Sequence, residues 1–176
     1  MLLLEGEAFN DLLRTCRRDA FHLEVKDSYS TPNETEPFAN FLNEGPPDDY
    51  SWLRGWLDLV EETTARGVSV RRARVVTVPH TDYTRWLLDV SFQNAAAGEE
   101  IRYLSRHLVD EETLTADDWW LFDQTSVAFT VFEPSGAWRG GALTTDPRIV
   151  DYCVQVWNRV WDSAVPHADY AALGIR

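Results

Sequence analysis

The chain has 176 residues, 44% of them hydrophobic and 12% aromatic, enough for one well-buried core and too few for two ordinary domains. Its net charge of −13, from 29 acids against 16 bases, argues against direct nucleic-acid binding, which needs a phosphate-neutralising face. No apolar run approaches the roughly 18 residues that cross a bilayer, and Met1-Leu2-Leu3-Leu4 is too short for a signal peptide, so a cytoplasmic protein without membrane contact is expected.

Glu7 to Arg18 carries Phe9, Leu12, Leu13 and Cys16 at helical spacing, with Arg14, Arg17 and Arg18 near the end, where cations suit the helix dipole. Ala20 to Val25 alternates Phe21, Leu23 and Val25 with His22 and Glu24, the pattern of a strand with one solvated face. Four prolines punctuate residues 28–49, leaving room for a short helix near Thr35 to Asn43 inside an insertion that is either a lid or a solvated connector. From Leu53 to Thr64 apolar residues recur at three and four positions until Gly67 supplies a C-cap.

Val68 to Val78 reads as a strand on which Arg72 and Arg74 share a face and Arg71 points the other way. Those two guanidiniums either clamp an anion or pair with the surplus carboxylates. Thr81 caps a helix with Tyr83, Trp86, Leu87 and Val90 as its buried stripe, closed at Gly98, after which Ile101 to Leu104 is a strand. Trp119 to Asp123, Ser126 to Glu133 and Ala137 to Leu143 are expected as successive strands, the last two joined at Pro134-Ser135-Gly136. Asp146-Pro147 opens a long helix with Ile149, Val150, Cys153, Val154, Trp157, Val160 and Trp161 on one face. Residues 166–176 form a loose C-terminal turn in this reading.

The sum is an α+β fold, one domain over residues 1–176, in two layers. A mixed or antiparallel sheet of about five or six strands is covered by helices, with a C-terminal β-meander followed by the long helix. Parallel crossovers remain open around the Val68 strand.

Chemistry is sparser. The acids Glu99, Glu100, Asp118 and Asp123, with Arg85 and Arg102, converge if the Ile101 strand neighbours the Trp120 strand, either as an ion-pair network fixing loops at the sheet edge or as a ligand-binding set of Arg85, Glu99, Arg102 and Asp123 with Trp119 beside it. A carboxylate beside a guanidinium in an aromatic cleft suits a zwitterionic small molecule. Arg72 and Arg74 are the anion-binding candidates. His80 and His107 each lie near acids but lack further ligands, so no metal is assigned. No nucleophile motif and no cofactor loop is present, so neither a catalytic residue nor a cofactor is assigned. The isolated Cys16 and Cys153 fit buried thiols.

Ala20-Phe21-His22-Leu23-Glu24, the Arg-rich strand into Val75-Val76, Asp82-Tyr83-x-Arg85, Asn94-x-x-Ala97-Gly98-Glu99-Glu100-Ile101-Arg102, Trp120-Leu121-Phe122-Asp123 and Asp146-Pro147 occur in this order. In this the chain resembles a domain-of-unknown-function family of actinobacterial proteins, from about Phe9 to Tyr170. Members are often encoded near helix-turn-helix regulators, which implies a regulatory or accessory role. Two functions are therefore expected. The first is an interaction module whose acidic surface engages a basic or DNA-binding protein partner. The second is a small-molecule binder or enzyme with an Arg/carboxylate site in an aromatic-lined cleft.

Overall fold

Strand β2 (Asp19–Glu24) is buried along its whole length, polar residues included, and the remaining elements are arranged on either side of it. A computed structural model describes residues 1–45 and 47–175. Pro46, in the proline-rich segment, and Arg176, in the expected terminal turn, lie outside the described residues. The elements in order are β1 (Leu2–Leu4), α1 (Glu7–Thr15), β2, α2 (Thr35–Leu42), α3 (Arg54–Ala65), β3 (Ser69–Val76) and α4 (Asp82–Ala96). They continue with β4 (Glu100–Ser105), β5 (Trp119–Phe122), β6 (Ser126–Phe132), β7 (Trp138–Thr144), α5 (Pro147–Ser163), β8 (Val165–Pro166) and α6 (His167–Ala172).

All eight strands form one sheet in the order β1-β7-β6-β5-β2-β3-β4-β8. β2, β3 and β4 are parallel neighbours, and every other pairing is antiparallel. The α+β class stands, but two layers and five or six strands do not. The two extra strands are β1 and β8, three and two residues long, too short to show any period. The extra layer follows from the parallel crossovers, whose helices must pack on a face of the sheet.

On one face lies α5, with Val150, Cys153, Val156, Trp157, Val160 and Trp161 set against Phe21, Leu23, Val75, Trp119 and Leu121. Trp157 stacks flat on Phe21, ring centres 4.7 Å apart. Asp146 caps this helix through the Arg148 amide, and Pro147 sits in its first turn, as the sequence pattern requires. On the other face α1 and α3 pack over Ala20, Val70, Trp120 and Phe122. There α4 joins α3 through Val60, Trp86 and Val90, while α2 sets Phe38 against Tyr83 and Trp86. The terminal residues are less loose than expected: α6 buries His167 and Tyr170, and Tyr170 stacks on Tyr103 of β4.

Candidate ligand-binding site

Because side chains alternate along a strand, the register of β2 with β3 sets His22 beside Arg72 and Glu24 beside Arg74 on the α3/α4 face. The antiparallel partner adds Trp120 next to His22. The face that alternation presents as solvated is thus covered by helices, and its polar residues must find partners inside the protein.

They do so as one network. Arg72 donates from Nη1 to Glu24 Oε1 at 2.6 Å and from Nε to Glu99 Oε1 at 2.7 Å. Asn94 of α4 donates to the other Glu99 oxygen at 2.8 Å. Arg74 donates from Nε to the second Glu24 oxygen, and from Nη1 to Tyr103 and Ser91 at 3.0 and 3.1 Å. Burial works to raise the Glu24 carboxyl, but Arg74 and Arg72 overcome it and hold the group down to about 2. Burial pushes the His22 imidazole down to about 3, against the pull of Glu24, so the ring is neutral.

Above this floor is a cavity of about 500 Å³ with aromatic walls. His22 stacks on Trp120 at 4.3 Å, and Trp56 meets Trp120 edge-on at 5.7 Å. The Arg72 guanidinium lies over both indoles. The 28–34 stretch makes the outer wall, where Tyr29 lies against Phe132 and Tyr83, and the Tyr83 hydroxyl donates to Glu34 at 2.6 Å. Burial pushes the Asp118 carboxyl up to about 6, although the Val25 amide donates to it at 2.7 Å. Burial likewise raises Glu34, against the Tyr83 bond. Trp56 Nε1 and His22 Nδ1 are sealed from solvent without a hydrogen-bond partner, Nδ1 standing 3.5 Å from Glu24 Oε1, while the Tyr29 hydroxyl lies against Asp118.

The structure does not bring the expected ligand set together. Arg85 is exposed on α4 and pairs with Asp82. Arg102 lies on the α5 face, its guanidinium 4.3 Å from the Trp161 ring centre. Trp119 is fully buried on that same face, with its indole nitrogen bonded to Thr115. Asp123 sits in the β5–β6 turn and accepts the backbone amides of Arg17, Arg18 and Asp19, an anchoring role for a carboxylate. Of that set only Glu99 reaches the network, and Arg72 and Arg74 form the cavity floor. Sequence reasoning passed over Glu24 and His22, because a polar face toward water and one toward a buried network have the same alternation. Tyr29, Trp52 and Trp56 come from separate segments, so no local spacing links them, while Asp118, one of the acids expected to converge, does line the cavity. Among the described residues no group of three or more His, Cys, Asp or Glu is placed to hold a metal ion. No helix among them is long and apolar enough to cross a membrane.

A mixed eight-stranded sheet with a cavity over one of its faces, at β2, β3, β5 and β6, places this chain in a broad α+β class. Within it, the chain belongs to the family described as a domain of unknown function, DUF6879, whose model matches residues 7–172. No curated protein matches the sequence. Among solved structures it is similar to TrmBL2, an archaeal chromatin protein whose structure shows a novel mode of DNA binding, at 14% identity and a TM-score of 0.50. That match covers 93% of this chain and 53% of the other, so the chain spans about half the length of that protein. It is also similar to NucT from Helicobacter pylori, at 10% identity and a TM-score of 0.51, covering 91% of this chain and 89% of that one. At such identities the likeness is one of fold alone.

Proposed function

We propose that this protein is a small-molecule-binding domain whose site is the aromatic cavity over the Glu24–Arg72–Arg74–Glu99 network, with residues 28–49 as its lid. One observation carries the reading: a cavity of about 500 Å³ with aromatic walls lies directly over two buried arginines, Arg72 and Arg74. The buried ion network supports the same reading, since an apolar core would serve stability at least as well. Arg72 and Arg74 each leave Nη2 without a hydrogen bond among the described residues, two donors free for a ligand's acceptors.

Thermal melting against a panel of metabolites tests the proposal. A true ligand raises the melting point in proportion to the logarithm of its concentration above Kd. Gly55 lines the cavity, and a Cβ there meets nothing within 4 Å, so Gly55→Leu should fold and crowd the site. Shifts that persist undiminished in Gly55→Leu would place binding elsewhere, and a panel without any shift would remove the proposal's support.

A second reading rests on the net charge of −13. It supports an accessory role in which the acidic exterior engages a basic protein partner, with affinity that falls as salt rises. The same charge disfavours direct contact with nucleic acid, although one similar fold belongs to a DNA-binding protein.

A further inference from the structure

The charges in the cavity walls do not balance, and the imbalance identifies a ligand chemistry. Arg72 and Arg74 are matched by Glu99 and Glu24. Two further carboxyls, Glu34 and Asp118, also line the cavity, and neither is within ion-pair distance of a cation among the described residues. Asp118 is 1% exposed. The nearby Lys26 ammonium is turned away, 3.7 Å from Asp117 and 4.3 Å from the Phe132 ring centre. Around the two carboxyls stand Tyr29, Tyr83 and Phe132, with Tyr29–Phe132 centres 5.8 Å apart and Tyr29–Tyr83 centres 6.0 Å apart. The Tyr29 hydroxyl lies against Asp118, and Nδ1 of His22, a residue only 9% exposed, is 3.5 Å from Glu24 Oε1.

Two desolvated carboxylates without a countercharge, framed by aromatic rings, complement an organic ammonium group. Farther along the cavity Trp56 and Trp120 offer apolar area to a flat ring. We propose, resting on the cavity reading above, that the ligand is a small amine with an aromatic body, its ammonium at the end of the cavity that Glu34 and Asp118 line and its ring against Trp56 and Trp120. Burial raises the affinity of both carboxyls for protons, and an ammonium beside them would hold them ionised. Tyr29, Glu24 and Lys26 face Asp118, while Tyr83, Arg74 and Glu24 face Glu34. Protonation of the pair on acidification therefore weakens the binding of a permanently charged ligand.

Three probes with one indole body and different tails separate the alternatives: tryptamine, its neutral alcohol analogue tryptophol, and indole-3-acetate. Calorimetry on the full chain should show tryptamine binding at least about tenfold tighter than tryptophol, with indole-3-acetate weakest. Asp118→Asn and Glu34→Gln should each erase most of the tryptamine advantage over tryptophol. Should either variant fail to fold, the wild type still decides: N,N,N-trimethyltryptamine, which cannot lose its charge, should bind more weakly at pH 5 than at pH 7.5. Equal binding of the three tails, tighter binding of indole-3-acetate through Arg72 and Arg74, or no binding of tryptamine overturns the amine assignment. In any of those cases a panel compound whose effect is lost in Gly55→Leu keeps the cavity reading intact; no such compound means that both fall.

Discussion

Glu24 joins the two buried guanidiniums, each of its oxygens accepting from a different arginine. Removing its charge leaves two cations with only Glu99 to balance them in a place largely shielded from water. Glu24→Gln keeps the shape and is expected to destabilise the fold by about 3–5 kcal/mol, measured by urea denaturation. Replacing Arg74 with Met in the same chain should recover part of that loss, because one unmatched charge is gone. Additive losses in the double variant would mean that the pair is not coupled. Asp123 illustrates the opposite use of a carboxylate. It lies in a turn where Asp123 and Gln124 both have positive φ, and it fastens the end of α1 to the β5–β6 hairpin by accepting successive amides.

Among the elements, β1 depends on an absence of side chain in its neighbour. A Cβ at Gly140 would collide with the Leu4 carbonyl oxygen, and one at Gly141 would lie 2.7 Å from the Phe9 ring. Gly140→Ala should therefore pry β1 from β7 at a cost of about 1–3 kcal/mol. Hydrogen exchange at the β1 amides checks this, and protection equal to wild type would show that the strand has moved without parting. Such close approaches do not register in a sequence pattern, which is one reason β1 was not foreseen. The long helices were legible because their signals are local: Thr81 caps α4 through the Thr84 amide, and Asp146-Pro147 starts α5. The shared face of Arg72 and Arg74 was legible from the strand period alone. What those arginines face depends on which helix covers them, and that is set by crossovers between strands far apart in the chain.

For the molecule as a whole, three buried groups titrate against one another. Glu24 is held below its ordinary value of 4.5, so its contribution to stability is complete above that pH and is lost as pH falls toward about 2. His22, pushed down by burial from 6.5 to about 3, contributes fully above 6.5, and that contribution shrinks steadily as pH falls toward 3. Asp118, pushed up by burial from 3.8 to about 6, has the reverse sign: its contribution is complete below 3.8 and is lost as pH rises through about 6. Between about pH 7 and 5 the His22 loss and the Asp118 gain oppose each other, and below about 4.5 the Glu24 and His22 losses combine. Urea midpoints should accordingly change little from pH 7 to 5 and fall steeply by pH 3.5, whereas a midpoint that rises through this range would contradict an ionised Glu24. The placement of the indoles has a different consequence. Four of the eight tryptophans, Trp52, Trp56, Trp120 and Trp138, border the cavity, while Trp119, Trp157 and Trp161 lie across the sheet in a dry core. The cavity indoles should therefore emit to the red of those in the dry core, and a ligand that fills the site should shift only the cavity group, a readout of occupancy without dye or label.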